Sequence, residues 1–371
     1  MRFIKYIPFG NKQPIDITST SDKEIQIWQE LSMLRHIVAG GIYGKKVIAP
    51  YIDQAKTYYL DSCSSHWKSS GLLYYYSFLN LAKAFIVTKR AVSASYLKST
   101  SIYHGLQSNP QNINRLPDFT INIHPTNANN KKNIFSIFYE KLVNQRWPFR
   151  NTISIRMEEV IGYCNEISHE LSNFYTINGA TELMQSIYRE DNNNMWVEFV
   201  VSNSFLTDFS NYIGPTIGTI TALNQLTDRD VEVWLRAHNR TKASFQNSSI
   251  VRVGQLPYNQ NNRNAQYVQL KTNVEALFKE YILPLPMIDS NYDFWQFVPK
   301  VTLQGAQLLW HPLLSDYLFS FMLSTILRYY PHVFSKDDQN SFIGEAWCNQ
   351  SSITTMRYFL MAFTNPPLRM N

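Results

Sequence analysis

The spacing of apolar positions is helical near both ends of the chain and strand-like between them. Ser21-Asp22-Lys23-Glu24 reads as a capping box, in which the serine oxygen and the glutamate each satisfy an orphan backbone N–H. Ile27, Trp28, Leu31, Leu34 and Val38 follow at helical spacing, and Gly40-Gly41 supplies a left-handed exit that ends the helix. A second helix is predicted from Val47 to Asp61, with Pro50 in its first turn. A third, from Leu72 to Lys89, is apolar nearly all round and so belongs at the centre of the fold. Beyond Pro110 the period changes. Asp118 to His124 alternates like a strand, Pro125 to Asn133 reads as a polar loop, and Ile134 to Phe138 reads as a strand pairing back in a hairpin. A short helical piece near Glu140 comes next. The following helix is predicted from Arg156 to Leu171, with Val160, Ile161, Cys164, Ile167 and Leu171 on one face.

From Met195 to Val301 strand-like runs dominate: Trp196 to Val201, Val231 to Leu235, Ser249 to Val253 and, more weakly, Tyr267 to Leu270. A short helix is expected over Thr216 to Leu226. Helices return at Leu308 to Tyr330, ended by Pro331, and at Phe342 to Phe363, ended by Asn365-Pro366-Pro367. The expected fold is α+β, a mostly helical core formed by the N- and C-terminal helices with a β-rich inserted lobe. The expected division is a helical segment over residues 1–110, a hairpin-and-helix connection over 111–190, the β-rich insert over 191–303, and C-terminal helices over 304–371. The helices at 72–89 and 308–330 are too apolar to stand alone, so they are expected to pack on each other.

Composition narrows the function classes. The 371 residues are 44% hydrophobic and 14% aromatic, enough for a substantial core, while only 17% are charged, which excludes a disordered chain. Lys plus Arg (34) exceeds Asp plus Glu (28), and a net charge of +6 admits contact with RNA or DNA without demanding it. Cys63, Cys164 and Cys348 share no metal-ligand or disulfide spacing, which fits a reducing compartment. The N-terminal residues lack the apolar core of a secretory signal and no stretch is long enough to cross a bilayer. The expected location is cytoplasmic, away from membranes. No P-loop, nucleophile elbow, His-Glu-x-x-His helix, dinucleotide fingerprint or paired Cys-x-x-Cys occurs, so no cofactor or metal is expected.

Several segments resemble one family in order and spacing. Tyr51 to Tyr59, the run Leu72 to Ala84, Tyr103-His104-Gly105-Leu106, Ile134 to Phe138, and His311-Pro312-Leu313-Leu314 continuing to Leu323 through Pro331 look like the successive elements of YaaC-like proteins. The resemblance spans about residue 24 to 363 and is weakest over 190–300. The family brings no established activity, so it informs the fold more than the function. Tyr74 to Phe85 also resembles, more faintly, a helix of HEPN domains, which are common among prokaryotic toxins and defence proteins. That second resemblance implies an arginine and a histidine acting together on RNA; the nearest approach here is Arg328-Tyr329-Tyr330-Pro331-His332, with a proline between them.

Four places carry candidate chemistry. Arg328 would stabilise developing charge and His332 would move a proton, as catalytic residues on a phosphate; their structural reading is a cation closing a helix C-terminus and an exposed histidine beyond it. Asn80 and Lys83 share a helix face and would line a polar cleft, or else be a backbone-bonded asparagine and a snorkelling lysine. His104 stands in a loop where Gly105 lets the chain turn or approach a ligand closely. Arg236, His238 and Arg240 would contact phosphate after a strand, or form a solvated turn. The function expected from these residues is a non-enzymatic or effector component of a bacterial antiviral defence or stress system. It would bind a protein partner, a second copy of itself or a nucleic acid. The alternative is a metal-independent ribonuclease using Arg328 and His332.

Overall fold

The computed structural model describes residues 27–32, 41–97, 102–108, 113–128, 131–191, 193–207, 217–222, 248–257, 260–278, 282–285, 293–336 and 338–364. The fold is α+β. Residues 27–32 are helical, and the rest of the helix predicted over 21–38 lies outside the described residues. The first long helix, α1 (Gly41–Ser64), starts well before the predicted Val47 and carries Pro50 in its interior. Gly41 thus opens a helix and does not end one, while Gly40 lies outside the described residues. Helix α2 (Trp67–Thr88) begins one turn earlier than expected, where the His66 side chain accepts from the Lys68 N–H as its N-cap. A short helix, α3 (Ala94–Leu97), leads into small strands.

Strand β1 (Ile102–Tyr103) joins β4 (Asn127–Ala128) and β5 (Lys131–Asn133) in one sheet, while β2 (Leu106–Ser108), β3 (Thr120–Ile123) and β6 (Ile153–Arg156) form another. The predicted hairpin needs correcting. Ile134 to Phe138 is not a strand but the start of helix α4 (Ile134–Val143), and β3 pairs with β2 and β6 instead. A short apolar run does not reveal its period. What decides it is Asn133, whose side chain caps α4 by accepting from the Ser136 N–H at 3.2 Å.

The helix predicted from Arg156 to Leu171 is likewise a succession of 3-10 turns, Met157–Glu159, Ile161–Tyr163 and Asn165–Ile167, followed by α5 (Ser168–Tyr175). All five residues expected on its apolar face are buried. The carbonyl of Val160 accepts from Ser315 Oγ at 2.7 Å as well as from the Tyr163 N–H at 3.1 Å, the i+3 bond of a 3-10 turn. Gly162 comes so close to the chain that an added Cβ would lie 2.9 Å from the Asn178 carbonyl oxygen.

The described residues fall into two compact units, and Thr181–Pro299 forms one of them. It contains an antiparallel sheet of β7 (Glu182–Glu190), β8 (Asn194–Ser202), β9 (Ile217–Ala222), β10 (Ser248–Pro257), β11 (Ile282–Leu285) and β12 (Asp293–Phe297) in the order β11-β12-β7-β8-β10-β9. Two sequence expectations fail here. Residues 217–222 are strand, not helix, because they extend the ladder on β10, and Tyr267 to Leu270 lies in helix α6 (Arg263–Phe278). The strand expected at Val231 to Leu235 lies outside the described residues. Buried Glu198 on β8 is held by Arg189 at 3.0 Å and by the Trp196 indole N–H at 2.9 Å.

In the other unit, strands β13 (Val301–Leu303) and β14 (Ala306–Leu308) precede helices α7 (Pro312–Tyr329), α8 (His332–Lys336) and α9 (Asp338–Thr364). Every residue of α7 from Pro312 to Ile326 is buried, so this helix is the axis of the core. Helix α2 packs on it as the shared apolar character predicts. Tyr75 lies 5.5 Å from Phe321 and 6.0 Å from Tyr317, ring centre to ring centre. The two backbones approach at Gly71, where a Cβ would sit 2.8 Å from the Leu323 and Leu327 side chains. On α9, Trp347 and Phe359 pack against Phe78 at 6.1 and 5.8 Å.

Candidate functional site

His104 is held by a knot of backbone contacts. Gly105 has φ +82°, and a Cβ there would fall 1.6 Å from Asn133 Oδ1, so only glycine fits. Fully buried Asn133 donates through Nδ2 to the Gly105 carbonyl at 3.4 Å and also to the His124 carbonyl. Ser136 Oγ donates to that same His124 carbonyl at 2.7 Å, and the His124 N–H donates to Gly105 O at 3.1 Å. The His104 carbonyl accepts from Phe135 N–H at 3.2 Å. The start of α4 thus fixes the loop. Within it, the Leu106 N–H donates to His104 Nδ1 at 3.1 Å. That bond places the neutral ring's proton on Nε2, which makes His104 a hydrogen-bond donor.

The ring lies 5.7 Å from Phe321 of α7, the same residue that Tyr75 of α2 packs against. Arg328 is about two turns further along α7, on the same face. Its side chain folds back so that Nε donates to the Ser324 carbonyl at 3.1 Å, and its guanidinium lies 5.0 Å from the Tyr329 ring centre. Lys83 is half-buried on α2 with Nζ 5.7 Å from the Tyr51 ring centre, and burial lowers its pKa. Burial also lowers the pKa of His104, aided in turn by the positive charge of His124, Arg328 and Lys83. The His124 ring is 5.8 Å from Tyr103, and its Nδ1 lies 2.8 Å from Thr152 Oγ1. Among the described residues the arginine and lysine ion pairs are those of Arg156, Arg189, Arg252 and Arg263. Lys83 and Arg328 are not among them.

Lys83 and Arg328, from separate parts of the sequence, thus both act electrostatically on His104. Asn80, on the same helix as Lys83, is buried and donates through Nδ2 to the Tyr76 carbonyl at 2.8 Å. His332 is exposed at the start of α8, beyond Pro331, with its ring 6.3 Å from that of Tyr330; no hydrogen bond joins it to Arg328. Arg236, His238 and Arg240 lie outside the described residues.

Sequence reasoning missed two groups. His124 escaped notice as the last residue of an alternating strand. The other group is a buried polar network on α7. Asp316 accepts from Thr355 Oγ1 at 2.9 Å and Trp347 Nε1 at 3.4 Å, and burial together with the nearby Glu166 carboxyl holds its own carboxyl well above the usual range. His311 caps α7 by accepting from Leu313 N–H at 3.1 Å, and burial pulls its imidazole down to about 3. The visible signal was a lone acid inside the apolar run Leu313 to Ile326. These groups tie α7 to α9 and to the 3-10 turns. Among the described residues no set of three or more His, Cys, Asp or Glu side chains is placed to hold a metal ion, and no helix is long and apolar enough to cross a membrane.

No curated protein and no solved structure matches the chain significantly. The fainter HEPN resemblance has no match beside it. A family model described as YaaC-like Protein matches residues 42–342, most of the length, and includes α1, α2, the His104-Gly105 loop and α7. The chain belongs to the YaaC-like family.

Proposed function

We propose that this YaaC-like protein binds single-stranded nucleic acid without cleaving it, with phosphate contacts at Lys83, His104 and Arg328. One observation carries the reading: Lys83 and Arg328 both act electrostatically on His104, and neither is ion-paired to a carboxylate among the described residues. Cationic groups gathered without a counter-charge repel one another, and an arriving anion relieves that cost. Tyr329, 63% exposed beside Arg328, supplies an aromatic face for a base.

Binding is favoured over cleavage because of the tautomer. With Nδ1 occupied by the Leu106 N–H, His104 offers a donor at neutral pH and not a base. The ribonuclease alternative needs His332, which lies across Pro331 from Arg328. The test is fluorescence anisotropy with a labelled single-stranded RNA, run with wild type, Arg328→Ala and Lys83→Gln. Weakened binding in both variants supports the reading; wild-type protein that fails to bind at low salt removes it.

A further inference from the structure

We infer that the strand is gripped through its unpaired bases at the corner between α7 and α8, with Tyr329 and Tyr330 as stacking faces and Arg328 on the phosphate beside them. The protein then takes unpaired nucleic acid of any sequence and refuses a duplex. The inference deepens the nucleic-acid reading above and rests on it. Helix α7 is buried from Pro312 to Ile326, and exposure begins only in its last turn, at Arg328 and Tyr329. Tyr329 is the most exposed large apolar side chain among the described residues, although a tyrosine has much area to gain by burial. The Arg328 guanidinium lies 5.0 Å from its ring centre. Arg328 Nε is spent on the Ser324 carbonyl at 3.1 Å, which turns the two terminal nitrogens of the fork to an anion.

The half-exposed Tyr330 ring follows at 6.5 Å, tilted by 66° to that of Tyr329. That separation is roughly twice the ~3.4 Å rise per base of a stacked strand. The two rings therefore do not match bases that stay stacked in a duplex, and they fit neighbouring bases splayed apart. The corner is also held in place. Tyr330 N–H donates to the Ile326 carbonyl at 2.8 Å, and Val333 N–H donates to the Tyr330 carbonyl at 3.0 Å. Pro331 fixes a backbone dihedral between them, and Phe334 anchors α8 against Trp67 of α2 at 5.1 Å. Rings set on so fixed a corner need little ordering when a base arrives. Every base has a π-face, so such a platform tolerates any sequence.

The test uses the full chain and fluorescence anisotropy with four labelled probes of one length: two RNAs of unrelated sequence, an abasic strand with the same phosphates, and a duplex. The inference expects both RNAs to bind alike, and at least about fivefold tighter than the abasic strand or the duplex, the low end for one base on one ring. Tyr329→Ala removes that advantage without weakening the abasic strand further, and Tyr329→Phe, which keeps the ring, restores it. Unchanged circular dichroism and melting confirm that the variants are folded. If the abasic strand or the duplex binds wild type as tightly as the RNAs, and Arg328→Ala weakens all of them, the stacking corner is overturned and the nucleic-acid reading stands. The same holds if Tyr329→Ala weakens the abasic strand as much as the RNAs, or if only one of the two sequences binds. If no probe binds, both fall.

Discussion

Acid should weaken this fold through one buried histidine. His311 sits at the N-terminus of α7 with its ring edge-on to Tyr358 at 5.4 Å, and burial pulls its imidazole down to about 3. In the unfolded chain the same ring has a pKa of about 6.5. Between those values the unfolded state takes up a proton that the folded state does not, so stability falls as pH falls. The contribution is fully present above about pH 6.5 and is lost progressively toward about pH 3. At about pH 5 the gap to the unfolded pKa is about 1.5 pH units, which corresponds to about 2 kcal/mol. The comparison protein is His311→Asn, since asparagine caps a helix as well as histidine does here and does not titrate. Urea unfolding followed by circular dichroism at about pH 8 and about pH 5 gives the stability of both proteins. Wild type should lose about 2 kcal/mol more than the variant over that interval. Equal losses would refute the reasoning, because every other titrating group is common to the two proteins.

The other expectations concern single positions. Asp316, with its pKa raised in the fold, acts in the opposite direction: wild type should lose stability relative to Asp316→Asn as pH rises from about 4 to about 8, and parallel curves would contradict this. Gly105→Ala forces a Cβ onto Asn133 at a positive φ and should cost about 2–4 kcal/mol by urea unfolding, with an unshifted midpoint as the contrary result. Gly71→Ala pushes α2 from α7 at Leu323 and Leu327, for about 1–3 kcal/mol; a thermal melt matching wild type would show that those side chains simply move aside. His332→Ala should leave RNA affinity within about twofold of wild type, whereas a tenfold loss would bring His332 back into the site.

How legible each element was depended on how local its cause is. Helices α2, α7 and α9 and strands β8 and β10 declare themselves, since their apolar runs are long and flanked by caps or prolines. Ile134 to Phe138 was misread because five apolar-rich residues fit either period, and the deciding contact, from Asn133, is a cap. The 3-10 turns at 157–167 keep helical apolar phase but bond three residues on, and the Val160 carbonyl also accepts from Ser315, which is far away in sequence. Residues 217–222 became strand because β10 offers them an edge. The candidate site followed the same rule. His104-Gly105 and Lys83 were visible as oddities in their own segments, but the approach of the His104 loop to α7 depends on α2 packing antiparallel on α7 with His104 beside Phe321. Nothing local announces that.

The most direct test is the salt dependence of RNA affinity. For single strands each phosphate neutralised adds about −0.7 to the slope of log K against log salt. Wild type should bind a single-stranded RNA with a clear negative slope, and Arg328→Ala and Lys83→Gln should each bind more weakly with a slope shallower by about 0.7. Identical slopes in wild type and both variants would contradict phosphate contacts at Lys83 and Arg328.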